Sequence, residues 1–155
     1  MLVIGSIGFG EAMSQTDWST IIVLLSLMII VAQLTESGLL AKLANRIVPQ
    51  RLSPKLTLGL IMAASASTSA LITNDVAVLA FIPILVMRLH ARGLRAIPFV
   101  LGCTFAANIG SAATIIGNPQ NMIGAEALDI HFLAHLIWAI VPVVLALFMV
   151  WGSSS

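Results

Sequence analysis

Long apolar blocks dominate this sequence, and two of them are interrupted by short runs of small, hydroxyl and amide residues. The longer interruption, residues 107–121, reads Ala-Asn-Ile-Gly-Ser-Ala-Ala-Thr-Ile-Ile-Gly-Asn-Pro-Gln-Asn and carries no charge. The shorter, residues 65–75, reads Ser-Ala-Ser-Thr-Ser-Ala-Leu-Ile-Thr-Asn-Asp. Backbone inside a bilayer must satisfy its own N–H and C=O groups. A break there is tolerated only where protein or water meets the freed groups. The composition makes the bilayer the right solvent: 59% of the 155 residues are hydrophobic and 8% charged, against about 25% charged in a soluble domain. The mean hydropathy is +1.09, more apolar surface than one water-soluble globule can hide. The fold class read from this is all-α, a polytopic integral membrane protein.

Taken in order, residues 1–10 are too few to span and read as the tail of a helix. No basic residue precedes their apolar run, as a signal peptide would require. Residues 11–17 are polar and read as a loop. Residues 18–35, opened by Trp18 at the interface, form a spanning helix. Over 36–55, Leu39, Leu40, Leu43, Ile47 and Val48 recur among Lys42, Arg46, Arg51 and Lys55. That spacing gives an interfacial amphipathic helix ended by Pro49 and Pro54, with a plain basic loop as the alternative.

Residues 56–90 form the next block, and its apolar part, 56–89, holds 34 residues. Two full crossings need about 40. Arms of about 17 residues reach about 25 Å, short of a core about 30 Å thick. A re-entrant helical hairpin with its tip at 73–75 fits better than two tilted crossings. It also places Asp75 at a polar tip, sparing the cost of a charge facing lipid, at least about 2.5 kcal/mol. The small residues of 63–70 let the arms approach closely. Residues 96–128 read as one crossing broken over 107–121. Gly110 and Gly117 weaken a continuous helix, and Asn118-Pro119 is an N-cap followed by a first helical residue. Residues 132–151 are a final spanning helix with Pro142 as a tolerated kink.

All seven Lys and Arg fall within 42–55 and 88–95, whereas Glu11, Asp17, Glu126 and Asp129 fall in the other loops. Basic residues mark the cytoplasmic side. Both ends of the hairpin then lie inside, and the N-terminus outside.

The breaks carry the chemistry. N–H groups at a half-helix start favour an anion, and freed carbonyls favour a cation. The candidate substrate- and ion-binding residues are Thr73, Asn74, Asp75, Asn108, Gly110, Ser111, Thr114, Gly117, Asn118, Pro119 and Asn121, with Gln120 beside them. Their hard oxygens suit sodium, with Asn74, Asp75, Asn108 and Ser111 as its candidate ligands. Asp75 could instead carry a proton. The alternative is polar glue between packed helices. No transition-metal set is evident: His131 and His135 stand at i, i+4 without a third ligand and read as interface residues. Cys103 reads as a buried thiol. No nucleophile–base pair lies in a spanning segment, so an enzyme is not expected.

At Thr-Asn-Asp-Val-Ala (73–77) with Phe-Ile-Pro (81–83), and again at 107–121, the sequence resembles the ion transporter superfamily. That superfamily includes citrate-transporter-like permeases, divalent anion:sodium symporters and arsenite permeases. Glu-Ser-Gly-Leu at 36–39 also fits. The resemblance implies a secondary transporter with two inverted repeats, each giving one hairpin and one broken helix, working by an elevator motion. It implies no cofactor beyond a coupling sodium ion or proton. Its partners would be a small anionic solute, the lipid bilayer and, in the full-length form, further copies in a homo-oligomer, with no nucleic acid; its place would be the plasma membrane. Dicarboxylate symporters carry Ser-Asn-Thr at the tip where this chain has Thr73, Asn74 and Asp75. Members are roughly two to three times longer, so this chain is expected to be one repeat, the N-terminal half of such a transporter.

Overall fold

A computed structural model describes residues 10, 14, 18–39, 42, 46 and 52–153. Among the described residues all regular structure is helical. The helices are α1 (Trp18–Glu36), α2 (Pro54–Leu71), α3 (Asn74–Ala91), α4 (Ala96–Ser111), α5 (Pro119–Ala127) and α6 (Phe132–Ser153), with a 3-10 turn at Ile115–Gly117. Apart from Gly10 and Ser14, both helical, the expectations for 1–17 lie outside the described residues. So does most of the interfacial helix expected over 36–55, of which Leu39, Lys42 and Arg46 are helical.

The helix ends follow from local chemistry. Ser53 caps α2, its Oγ accepting from Leu56 N, and Pro54 takes the first helical position, where its missing N–H costs nothing. Pro54 therefore opens a helix, and how the segment before it ends lies outside the described residues. α2 and α3 are joined through Ile72 and Thr73 alone. The tip is thus shorter than the expected 73–75, because Asn74 and Asp75 already belong to the first turn of α3. Gly93, at φ +69°, ends α3: Leu94 N donates to Leu89 O at 3.0 Å and Gly93 N to His90 O at 2.9 Å. That paired pattern is the left-handed helix stop that glycine accommodates without strain.

α2 and α4 run parallel and form the tightest pair. Ser65 Oγ donates to Cys103 O at 2.8 Å, and four residues on Ser69 Oγ donates to Ala107 O. Between them Gly110 lies so close to α2 that an added Cβ would sit 2.7 Å from the carbonyl carbon of Ala66. Small residues bring helices into contact in this way where lipid supplies no hydrophobic drive. α3 packs back on the pair through Phe81, Leu85 and Leu89, all fully buried at i, i+4, i+8, against Ile61, Met62, Phe99 and Cys103. Arg92 closes the base of the hairpin, donating from Nη1 to Thr57 Oγ1 at 3.0 Å and from Nη2 to Leu52 O at 2.6 Å.

α6 runs antiparallel to α2, with Trp151 Nε1 donating to Lys55 O at 3.2 Å. Its Leu133, Ile137, Trp138, Phe148 and Met149 are all exposed, Trp138 to 83%. A helix this apolar on its outer face belongs in lipid. Among the described residues α3 and α6 are long and apolar enough to cross a membrane. The chain is an all-helical, polytopic membrane protein.

Candidate functional site

α4 stays helical through Ser111, so the first third of the expected 107–121 break is unbroken. Asn108, Gly110 and Ser111 present side chains or backbone from an intact helix end. Tertiary contact overrides the poor helix propensity of Asn-Ile-Gly-Ser, because Gly110 and Ala107 are held against Ala66 and Ser69. The true interruption is 112–118. It begins where Ala112 N and Ala113 N tighten onto Ile109 O and Gly110 O, and it ends at Asn118, whose Oδ1 accepts Asn121 N at 2.9 Å. Pro119 then opens α5. Gly117 allows the fold-back: a Cβ there would lie 2.7 Å from Ser111 Cα.

The two interruptions meet. Asn74 Nδ2, at the start of α3, donates to Asn108 Oδ1 at 3.0 Å. Asn108 Nδ2 donates to Thr104 O at 2.9 Å, fixing the amide so that its oxygen faces Asn74. Ser111 Oγ donates to Asn108 O at 2.8 Å and accepts Asn118 Nδ2 at 3.3 Å. Asn121 Nδ2 spans the gap, donating to Ser111 O at 3.2 Å and Thr114 O at 2.9 Å. Thr114 Oγ1 donates to Ala70 O at 2.6 Å, tying the break to the last turn of the first hairpin arm. Asn74, Asn108, Ser111, Thr114, Asn118 and Asn121 thus form one network with two helix N-termini opening on it. Ser111 and Thr114 are buried, and Asn74, Asn118 and Asn121 half-buried.

The remaining expected residues play other parts. Gly110 and Gly117 shape backbone. Thr73 caps α3 by position, with no side-chain cap bond, leaving the first-turn N–H groups of α3 without that partner. Asp75 is exposed in that turn and makes no hydrogen bond or ion pair among the described residues. Gln120 is exposed. No buried side-chain nitrogen or oxygen among the described residues lacks a partner. A solute would therefore be met by the half-exposed amides and the open helix ends. The oxygens are hard amide, hydroxyl and carbonyl groups, with Asp75 the one carboxylate beside them. No cluster of three His, Cys, Asp or Glu lies among the described residues.

One participant was missed in the sequence. His135, in the first turn of α6, lies 3.1 Å through Nε2 from Ala112 O. A carbonyl only accepts, so Nε2 carries the proton. The i, i+4 spacing with His131 drew attention to a metal, whereas the partner is a backbone carbonyl at the break.

Two independent rulers place the network along the bundle. From Lys55 to Ala70 along α2 is about 23 Å, and from Trp151 to His135 along α6 about 24 Å, at 1.5 Å per residue. Both helices start from the Lys55–Trp151 level and both reach the break. The network therefore lies about 23–24 Å along the bundle from the Lys55–Trp151 level.

The sequence matches the profile of a family described as citrate transporter over residues 1–153. It is 33% identical to an uncharacterised transporter of Mycobacterium tuberculosis over 135 residues, 84% of this chain and 32% of that protein. It is 30% identical to the putative transporter arsB of Dictyostelium discoideum over 132 residues, 85% of this chain and 23% of that one. A silicon efflux transporter of Oryza sativa subsp. japonica is 30% identical over 146 residues, 94% of this chain and 30% of the relative. The chain spans about a third of the length of the first of these relatives. No solved structure matches it.

Proposed function

This chain belongs to the citrate transporter family, and from that premise we propose that it forms one half of a secondary active transporter for a small anion, such as a di- or tricarboxylate, coupled to sodium or protons. It would act in the plasma membrane, as one of two inverted repeats in a homo-oligomer. The observation that carries the reading is the direct bond between Asn74 and Asn108, which joins a hairpin tip to a broken helix. Two helix starts, at Asn74 and Pro119, open on the same network. Each start presents about half a positive charge, the start of α3, without a side-chain cap, adds unpaired N–H groups, and an oxyanion is the ligand that answers them.

In this reading α2 and α3 form a re-entrant hairpin whose base, held by Arg92, lies at the basic face. Asn74 and Asn108 orient the anion, while Asn118 and Asn121 hold the break in shape. Sodium would draw on the oxygens of Asn74, Asp75, Asn108 and Ser111. Its charge would offset part of that of the solute, which lowers the cost of carrying either through lipid. The close α2–α4 packing would let tip and break travel as one body in an elevator motion.

A second reading rests on Asp75, a carboxylate exposed at the tip: a sodium/proton antiporter with Asp75 as the titrating group. Arsenite-type permease activity, or efflux such as that named for the rice relative, are variants of the first. A truncated membrane subunit that only packs with partners is the non-transporting alternative. Binding of labelled citrate to the purified chain, with and without sodium, tests the proposal. Sodium-dependent binding that disappears in Asn74→Ala supports it. Sodium-driven proton movement in vesicles without any added anion overturns it.

A further inference from the structure

At the end of the bundle remote from the network, a groove of about 370 Å³ runs between α2 and α6. Gly59, Met62 and Ala63 form one wall, and Val144, Phe148 and Trp151 the other. Its lining is almost wholly apolar, whereas its mouth is not. The Lys55 ammonium lies 5.3 Å from the centroid of the Trp151 ring, and the indole nitrogen donates to Lys55 O. Gly59 keeps the groove open beneath them, since a Cβ there would come within 3.0 Å of Trp151 Nε1. A slot without polar groups, topped by an indole and a cation, is matched to a molecule with an apolar tail and an anionic head.

We propose that this groove binds an anionic phospholipid, with an acyl chain between Ala63 and Phe148 and the headgroup phosphate at Lys55. Charge complementarity selects this occupant over a zwitterionic lipid or a protein segment. Lys55 stands at the mouth, and Arg88, Arg92 and Arg95 follow on the hairpin's return to the same end. Basic residues gather on the face where anionic lipid is concentrated. α6 offers the outer wall directly to the bilayer, with Phe148 exposed to 64%.

The test uses the chain reconstituted in vesicles, with Trp18→Phe and Trp138→Phe leaving Trp151 as the reporter. Its fluorescence is quenched by acyl-brominated phosphatidylglycerol or, at matched mole fraction, by acyl-brominated phosphatidylcholine. The expected result is about fivefold stronger apparent binding of the anionic lipid, the weight of one basic residue near an anionic surface. Lys55→Gln removes that preference while quenching by the choline lipid stays as before, which shows that the groove is intact. Ala63→Phe, which fills the slot, lowers quenching by both. Equal quenching by the two lipids means ordinary surrounding lipid and overturns the proposal. Absence of quenching by either means that protein covers the groove, and overturns it as well.

Discussion

Replacing Gly110 by alanine should uncouple the hairpin from the broken helix. The added methyl would lie 2.7 Å from the carbonyl carbon of Ala66 and meets backbone, which cannot rotate away. Ala66 Cα would lie nearer still, and carbon atoms settle at about 3.5 Å or more, so α2 and α4 must part by about 1 Å. The Ser65–Cys103 bond, 2.8 Å long, then opens to about 3.8 Å, beyond useful hydrogen bonding. The Ser69–Ala107 bond opens with it. Interhelical bonds in membranes contribute about 0.6 kcal/mol each, overpacking costs about 1–3 kcal/mol, and a helical glycine replaced by alanine gains about 0.5–1 kcal/mol, for a net loss of about 1–4 kcal/mol. Gly124→Ala is the matched control. Nothing lies within 4 Å of a Cβ there, and the change should stabilise α5 by about 0.5–1 kcal/mol. Unfolding in mixed micelles with a denaturing detergent, followed by circular dichroism, reads both. If Gly110→Ala lies within about 0.5 kcal/mol of the parent, a size smaller than any overpacking term, the close α2–α4 contact is wrong.

Four further outcomes follow from the geometry. Asn118→Ala should destabilise by about 1 kcal/mol through loss of the α5 cap, and by less as Asn118→Asp, read in the same unfolding assay. Arg92→Lys loses the fork that reaches Thr57 and Leu52 O, so amide exchange at residues 54–57 should quicken while that near Asn108 is unchanged. Gly93→Ala forces a methyl into φ +69° and should cost about 1–2 kcal/mol. In a Cys103→Ala background, Lys55→Cys and Arg95→Cys should label with an impermeant thiol reagent from one face of the membrane, and Asp129→Cys from the other.

Helix starts were legible where a capping residue stands before proline, because the signal is local. Asn118-Pro119 gave the start of α5, while Ser53-Pro54 offered the same pattern and was read as a stop. The end of α4 was not legible: Ala-Asn-Ile-Gly-Ser looks like a break until Ala66 is placed against Gly110. The tip was located to within two residues, since the 34-residue block has little choice of midpoint. That Asn74 meets Asn108 follows from the parallel run of α2 and α4, a tertiary fact with no sequence signature. The same holds for His135 at Ala112 and Trp151 at Lys55, separated by 23 and 96 residues.

The central claim is that tip and break converge on one polar site that receives a small anion. Asn74→Cys with Asn108→Cys, in the Cys103→Ala background, tests that convergence most directly: amide termini 3.0 Å apart put the two thiols within the span of a short bifunctional methanethiosulfonate reagent. The reagent should bridge this pair in native membranes as readily as Ser69→Cys with Ala107→Cys. Crosslinking of the control pair alone would mean that the two interruptions stay apart in the membrane.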